Sequence, residues 1–245
     1  MAVISIANAK GGSGKTTAAV LLASELVERG ARICLLDCDD LKLAATWARA
    51  ARLGEGLTLV ESVAASNLAS PLRAMRSSHH HVIIDLSGAR DALVALAVGL
   101  SDLVLVPVQG CAMDSRGAAH VLELIDLVSA NAHKPINRAV VLSRVNPLVT
   151  TRALRNVKSV LDAAKIPVVS TPIIERSAFR DMFETGGTLH SMQGGRISNL
   201  DKAVANMQAF AGDVLRLVGA EESWKPRARA EIRTAPQDGQ PAAAW

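Results

Sequence analysis

Aromatic side chains are nearly absent from this chain: they make up 2% of its 245 residues, and there is no tyrosine at all. Any core must therefore be aliphatic, because large rings are too few to anchor it. Cysteine is sparse and odd in number, with Cys34, Cys38 and Cys111. That set argues against a disulfide scaffold and suits a reducing cytoplasm. No apolar run approaches the roughly 18 residues that a membrane span needs. No basic leader or cleavage site precedes the first apolar run, so no signal peptide is expected. What the chain does have is apolar material, 49% of its residues. That is enough to bury a sizeable core in one large α/β domain. The net charge of +4 is compatible with a nucleic-acid partner but demands none.

Apolar runs of strand length alternate with helical patterns. Ala2–Ala7, Ala31–Leu36, Leu57–Val60, His81–Ile84, Leu103–Val108 and Arg138–Leu142 read as strands. Val168 and Val169 add a short final strand. Helical periodicity covers Lys15–Arg29, Leu41–Ala51, Ser115–Ala130, Arg152–Lys165 and Ser198–Val218. The alternation predicts a mostly parallel twisted sheet flanked by helices. Ligands of such sheets sit beyond the carboxyl ends of the strands, where Asp37 and Asp85 fall. Residues 1–219 read as the folded domain. Residues 220–245 turn to Pro, Ala and charge without periodicity, and are expected to be a disordered extension.

The most informative stretch is Lys10-Gly11-Gly12-Ser13-Gly14-Lys15-Thr16-Thr17, which follows a strand and opens a helix. That context makes it a phosphate-binding loop. Glycines let backbone N–H groups turn inward onto phosphate oxygens, and the helix N-terminus adds partial positive charge. Lys15 is placed to reach the β- and γ-phosphates of ATP, and the Thr16 hydroxyl to ligate Mg²⁺. The ordinary form of the loop has Gly where Ala9 stands, and here a second lysine, Lys10, precedes the glycines.

This loop resembles the KGGxGKTT element of the ParA/MinD family, whose deviant P-loop carries an extra lysine. The resemblance implies that Lys10 reaches across an ATP-sandwich homodimer to the partner's phosphates. Asp37-Cys38-Asp39 is similar to the family's DxD element, with Asp40-Leu41 in place of its usual Pro-Gln. On that resemblance Asp39 orients the attacking water and Asp37 supports Mg²⁺ through water. HVIIDLSG, residues 81–88, resembles the Walker-B strand and switch II, which puts Asp85 near Mg²⁺ and leaves Gly88 a backbone N–H for the γ-phosphate. VLSRVNP, residues 141–147, matches the strand after which adenine contacts lie, making Arg144 and Asn146 candidates. Residues 171–189 resemble the family's closing strand, Arg-containing loop and helix. The chain looks closest to the ParA-like ATPases of conjugation and T-DNA processing.

The resemblance implies slow, partner-stimulated ATP hydrolysis by a cytoplasmic, nucleoid-associated protein that positions or segregates DNA. A ParB-like adaptor or a relaxase-type protein is the implied partner. Candidate non-specific DNA contacts are Arg152, Arg155 and Lys158, spaced three apart on one helix, with Arg196, Lys202 and Arg216 around the last. A MinD-type membrane switch is the alternative, but it needs a C-terminal amphipathic helix, and the segment after Glu221 is broken by proline and poor in large apolar residues. A metabolic enzyme on the same scaffold is a further alternative, for which no second-substrate motif is visible. The tyrosine kinases of this scaffold, with their Tyr-rich tails, are excluded by the lack of Tyr. His79-His80-His81 cannot converge on one ion, since neighbours on a strand face opposite ways, and reads as an exposed strand entry. Cys34 and Cys38 read as buried thiols, not cluster ligands.

Overall fold

The computed structural model describes residues 1–88, 92–110, 112–133, 135–146, 149, 151–192 and 197–220, with the backbone alone at 112–116. Arg196, Cys111 and the tail from 221 onward lie outside the described residues.

Six strands form one sheet: β1 (Ala2–Ile6), β2 (Ile33–Cys38), β3 (Leu57–Val60), β4 (His81–Leu86), β5 (Leu103–Val108) and β6 (Asn137–Leu142). Their order is β3-β2-β4-β1-β5-β6, and every pair is parallel. The strands are rich in Val, Ile and Leu because both faces are covered. Alternate residues go to opposite cores. Ile4, Ile6, Ile33, Leu35, Ile83 and Leu105 enter one cluster, which α1 (Lys15–Glu28), α2 (Leu43–Ala51), α7 (Ser177–Thr185) and α8 (Leu200–Leu217) complete. Val3, Leu36, Val82, Ile84, Val104 and Val140 enter the other, under α3 (Ala69–Met75), α4 (Ala92–Leu100), α5 (Ala112–Ala132) and α6 (Arg152–Ala163).

Burying one Leu or Ile contributes about 1.5–3 kcal/mol, and both cores are almost wholly aliphatic. Trp47 and Phe210 are the large rings fully inside. Trp47 also donates its indole N–H to the Gly187 carbonyl at 2.8 Å, tying α2 to the α7–α8 connection.

Several boundaries differ from the sequence reading. Strand β2 runs on through Cys38 and β4 through Leu86, so Asp37 and Asp85 are in-register neighbours inside the sheet. Helix α2 begins at Leu43, not Leu41, because Lys42 takes the left-handed conformation (φ 50°). Val168 makes a single bridge to Val140 instead of a strand. Helices α3 and α4 were not expected. His81 is 3% exposed, not an exposed entry, and burial holds its ring pKa down at about 4. Cys34 and Cys38 are buried as expected, and burial pushes the Cys34 thiol up to about 12.

Candidate functional site

The chain leaves the central strand β1 and turns through residues 7–14 into α1. Gly12 (φ 74°) and Gly14 (φ 99°) hold left-handed backbone that a side chain would strain. Gly14 is also the N-cap of α1, and no side chain caps that end. The first amides of α1 are therefore presented to the space in front, the arrangement that binds phosphate.

Neighbouring strand ends fasten the loop. The Asn8 side chain is 1% exposed; it donates to the Pro107 carbonyl at 2.6 Å and accepts from the Lys10 N–H at 2.9 Å. Gln109 donates to the Gly12 carbonyl at 2.5 Å, and the Ser143 hydroxyl to the Ser13 carbonyl at 2.6 Å. Asn8, Gln109 and Ser143 were not among the expected site residues. All three are the first polar groups after buried parallel strands, and that position is the signal that could have found them. Gly88 abuts the loop from the other side: a Cβ there would meet the Ala9 carbonyl oxygen at 3.3 Å.

In front of the loop lies a cleft of about 380 Å³. Gly11, Gly12, Gly14, Lys15, Thr16 and Thr17 form one wall, with Asp39 and Gly88 nearby. Lys15 is 6% exposed, and its ammonium donates to the Lys10 carbonyl at 3.1 Å. Burial lowers its pKa, while Asp85 and Asp39 pull the other way. Arg144 lines the far wall beside Glu175, Arg176 and Phe179, whereas Asn146 is outside the lining. The Arg144 and Arg180 guanidiniums each stand 3.6 Å from the Glu175 carboxylate. The residues of α7 and its approach were legible only as a closing loop and helix, not as a cleft wall. Lys10 does not line its own chain's cleft, and neither does Ser13.

The two strand-end carboxylates are treated differently. Asp37 is fully buried, with its oxygens accepting from the Asp39 N–H at 3.0 Å and the Ala45 N–H at 2.8 Å. Asp85 is equally buried, yet neither of its oxygens makes a hydrogen bond of ordinary geometry. Burial drives its pKa up to about 7, the nearby Thr16 hydroxyl opposes this, and the Asp37 and Asp39 carboxylates add to it. A buried carboxylate without partners is costly. Beside a threonine hydroxyl and a phosphate loop it is the hard oxygen donor that Mg²⁺ takes. The glycine cradle, the buried Lys15 and this carboxylate together fit ATP with Mg²⁺.

The basic candidates do not gather on one surface. Arg152, Arg155 and Lys158 are exposed on α6, on one side of the sheet, whereas Lys202 and Arg216 are on α8, on the other. Arg216 pairs with the buried Asp213, which also accepts the Thr171 N–H at 2.6 Å. Among the described residues no helix is long and apolar enough to cross a membrane.

Comparison with known proteins agrees with this geometry. The family model described as VirC1 protein matches residues 1–215. The chain is 33% identical over 211 residues to protein ParA of Rhizobium radiobacter, covering 86% of this chain and 95% of that one. The fold is shared with MinD in the MinC:MinD cell division complex of Aquifex aeolicus (TM-score 0.70, 19% identity, 90% of this chain and 97% of that one). It is also shared with McdA of Cyanothece in an ATP complex (TM-score 0.68, 16% identity, 90% and 97% covered). The chain thus belongs to the VirC1 family, among the ParA-type P-loop ATPases of positioning and partition.

Proposed function

We propose that this protein is an ATP-switched homodimer that binds DNA non-specifically and so positions or segregates it. Residues 1–219 serve as the ATPase domain and 220–245 as an extension from it. The observation that carries the reading is the placement of the two lysines of the loop. Lys15 is buried and lines its own chain's cleft, while Lys10 is not among the residues that line it. A cation so placed is suited to a second chain's nucleotide, where it would stabilise charge developing on the γ-phosphate.

Within one chain, the loop amides and Lys15 hold the β- and γ-phosphates. Arg144 flanks the base end, with Asn146 following it on the same loop. Asp39, half-buried on the cleft wall, orients the attacking water, and such a carboxylate needs position more than basicity. Thr16 and Asp85 would hold Mg²⁺, with Asp37 behind them through water, and the ion would supply charge neutralisation on the phosphates. Loss of the γ-phosphate removes what both chains grip, so hydrolysis opens the dimer.

DNA is held by the exposed cations of α6, Arg152, Arg155 and Lys158, doubled by dimerisation. Such contacts to the phosphate backbone carry no sequence information, so the binding is non-specific and near the nucleoid. A ParB-like adaptor or relaxase-type protein speeds a slow basal hydrolysis.

The test is DNA binding by the purified protein with ADP, with ATP, and with ATP after Lys10→Ala. Binding that appears with ATP alone and is lost with Lys10 supports the switch. Equal binding in all three conditions overturns it.

A further inference from the structure

The segment between β2 and α2 carries Asp39 to the cleft, yet residues 37–46 contain neither proline nor glycine to set their path. Hydrogen bonds set it instead. Asp37 accepts the N–H groups of Asp39 and Ala45 on its carboxylate. The Asp39 carboxylate accepts the Leu41 N–H at 3.0 Å, and the Asp39 carbonyl accepts the Lys42 N–H at 3.2 Å. A further tie comes from a charged side chain: the Lys42 ammonium donates to the Asp37 carbonyl at 2.8 Å.

Three features separate Lys42 from a surface lysine with a chance contact. Its backbone is left-handed (φ 50°, ψ 38°), a conformation that residues other than glycine adopt at a cost. Its carbonyl accepts both the N–H and the hydroxyl of Thr46, at 2.9 and 2.8 Å, which starts α2. Finally, Leu41 and Leu43 line the cleft on either side while Lys42 does not. Its ammonium therefore points to the back of the loop, bridging the end of β2 to the start of α2 across Asp39.

We propose that Lys42 is a positioning residue for ATP hydrolysis: its ammonium, seated on the Asp37 carbonyl, holds the Asp39 loop where the carboxylate can orient water. A charged donor makes a stronger bond to a carbonyl than a neutral one does. Loss of the tie frees the loop between its two Asp37 anchors, and a displacement of about 1 Å at the water-positioning group costs up to roughly a hundredfold in rate. The phosphate loop is built from other residues, so nucleotide affinity does not depend on Lys42. The inference rests on the reading that Asp39 orients the water.

The experiment is single-turnover phosphate release from ATP with Mg²⁺, alongside titration with a fluorescent ATP analogue. It compares the wild type, Lys42→Met, Lys42→Arg and Asp39→Ala. Methionine retains the Cβ, and so the same backbone strain, but removes the ammonium. Lys42→Met is expected to slow release about ten- to a hundredfold with nucleotide affinity within about twofold, and Lys42→Arg to restore most of the rate. Wild-type release by Lys42→Met beside a dead Asp39→Ala overturns the role of Lys42 and leaves that of Asp39 standing. Wild-type release by Asp39→Ala overturns the reading beneath it. Loss of nucleotide affinity in Lys42→Met, or no recovery with Arg, makes Lys42 a mere fold residue and overturns the proposal.

Discussion

Asp85 shows how a single residue trades stability for function. Its carboxylate sits in the sheet beside Asp37 with no ordinary hydrogen bond. Leaving a buried charge unpaired costs several kcal/mol. Thr16 and Lys15 offset only part of that cost, since the pKa still rises to about 7. The neutral isostere should therefore stabilise the metal-free chain while removing the Mg²⁺ donor. Asp85→Asn at pH 8 in EDTA is expected to gain about 1–3 kcal/mol, seen as a melting temperature several degrees higher. The same variant should show no further thermal shift on adding ATP with Mg²⁺, where the wild type does. A lower melting temperature in EDTA would mean that Asp85 holds the sheet together through partners of its own.

At the scale of elements, the phosphate loop depends on how closely α5 approaches it. Gly117 lies against the loop's start: a Cβ there would stand 2.5 Å from the Asn8 amide oxygen and 3.0 Å from the Lys10 Cβ. Gly212 on α8 offers a control, since its nearest neighbour is the flexible end of Arg216 at 3.7 Å. Gly117→Ala must push α5 outward or break the bond from the Lys10 N–H to Asn8. It is expected to cost about 1–3 kcal/mol and to weaken ATP binding about tenfold in a calorimetric titration. Gly212→Ala should be neutral or gain up to about 1 kcal/mol, because alanine favours helix. Equal behaviour of the two variants would show that α5 does not set the loop.

The same elements show what could be read in advance. Strands β1, β2, β4 and β5 were legible because burial on both faces writes them as apolar runs, interrupted in β1 only by Ser5 and preceded in β4 by His81, that lead to Asp, Asn or Gln. The loop was legible because phosphate binding restricts residue type at every step. Helix α4, ALVALAVGL, is apolar on all sides and carries no period to recognise. The end of α2 could be read but not its start, since nothing in Leu41-Lys42-Leu43 announces a left-handed lysine. Asn8, Gln109 and Ser143 act together only because β5 lies between β1 and β6, an order that local sequence does not state.

At the scale of the whole molecule, the candidate DNA contacts among the described residues are split between two faces. The α6 cations lie on the opposite side of the sheet from α8, and Arg216 is already engaged by Asp213. The row proposed to meet DNA on each chain is Arg152, Arg155 and Lys158. Each phosphate contact changes log K by about −0.9 per decade of salt, so a dimer using this row twice should show a slope near −5. Arg152→Glu with Arg155→Glu removes about four of those contacts and should bring the slope to about −2. Nucleotide affinity should stay unchanged, because Arg152 and Arg155 are not among the residues lining the ATP cleft. The measurement is DNA affinity with ATP at several salt concentrations, for wild type and double variant. A slope near −5 in both would place the DNA on another surface. A slope near −3 already in the wild type, about three contacts in place of six, would mean that a lone chain binds, and the link between nucleotide, dimer and DNA would have to be given up.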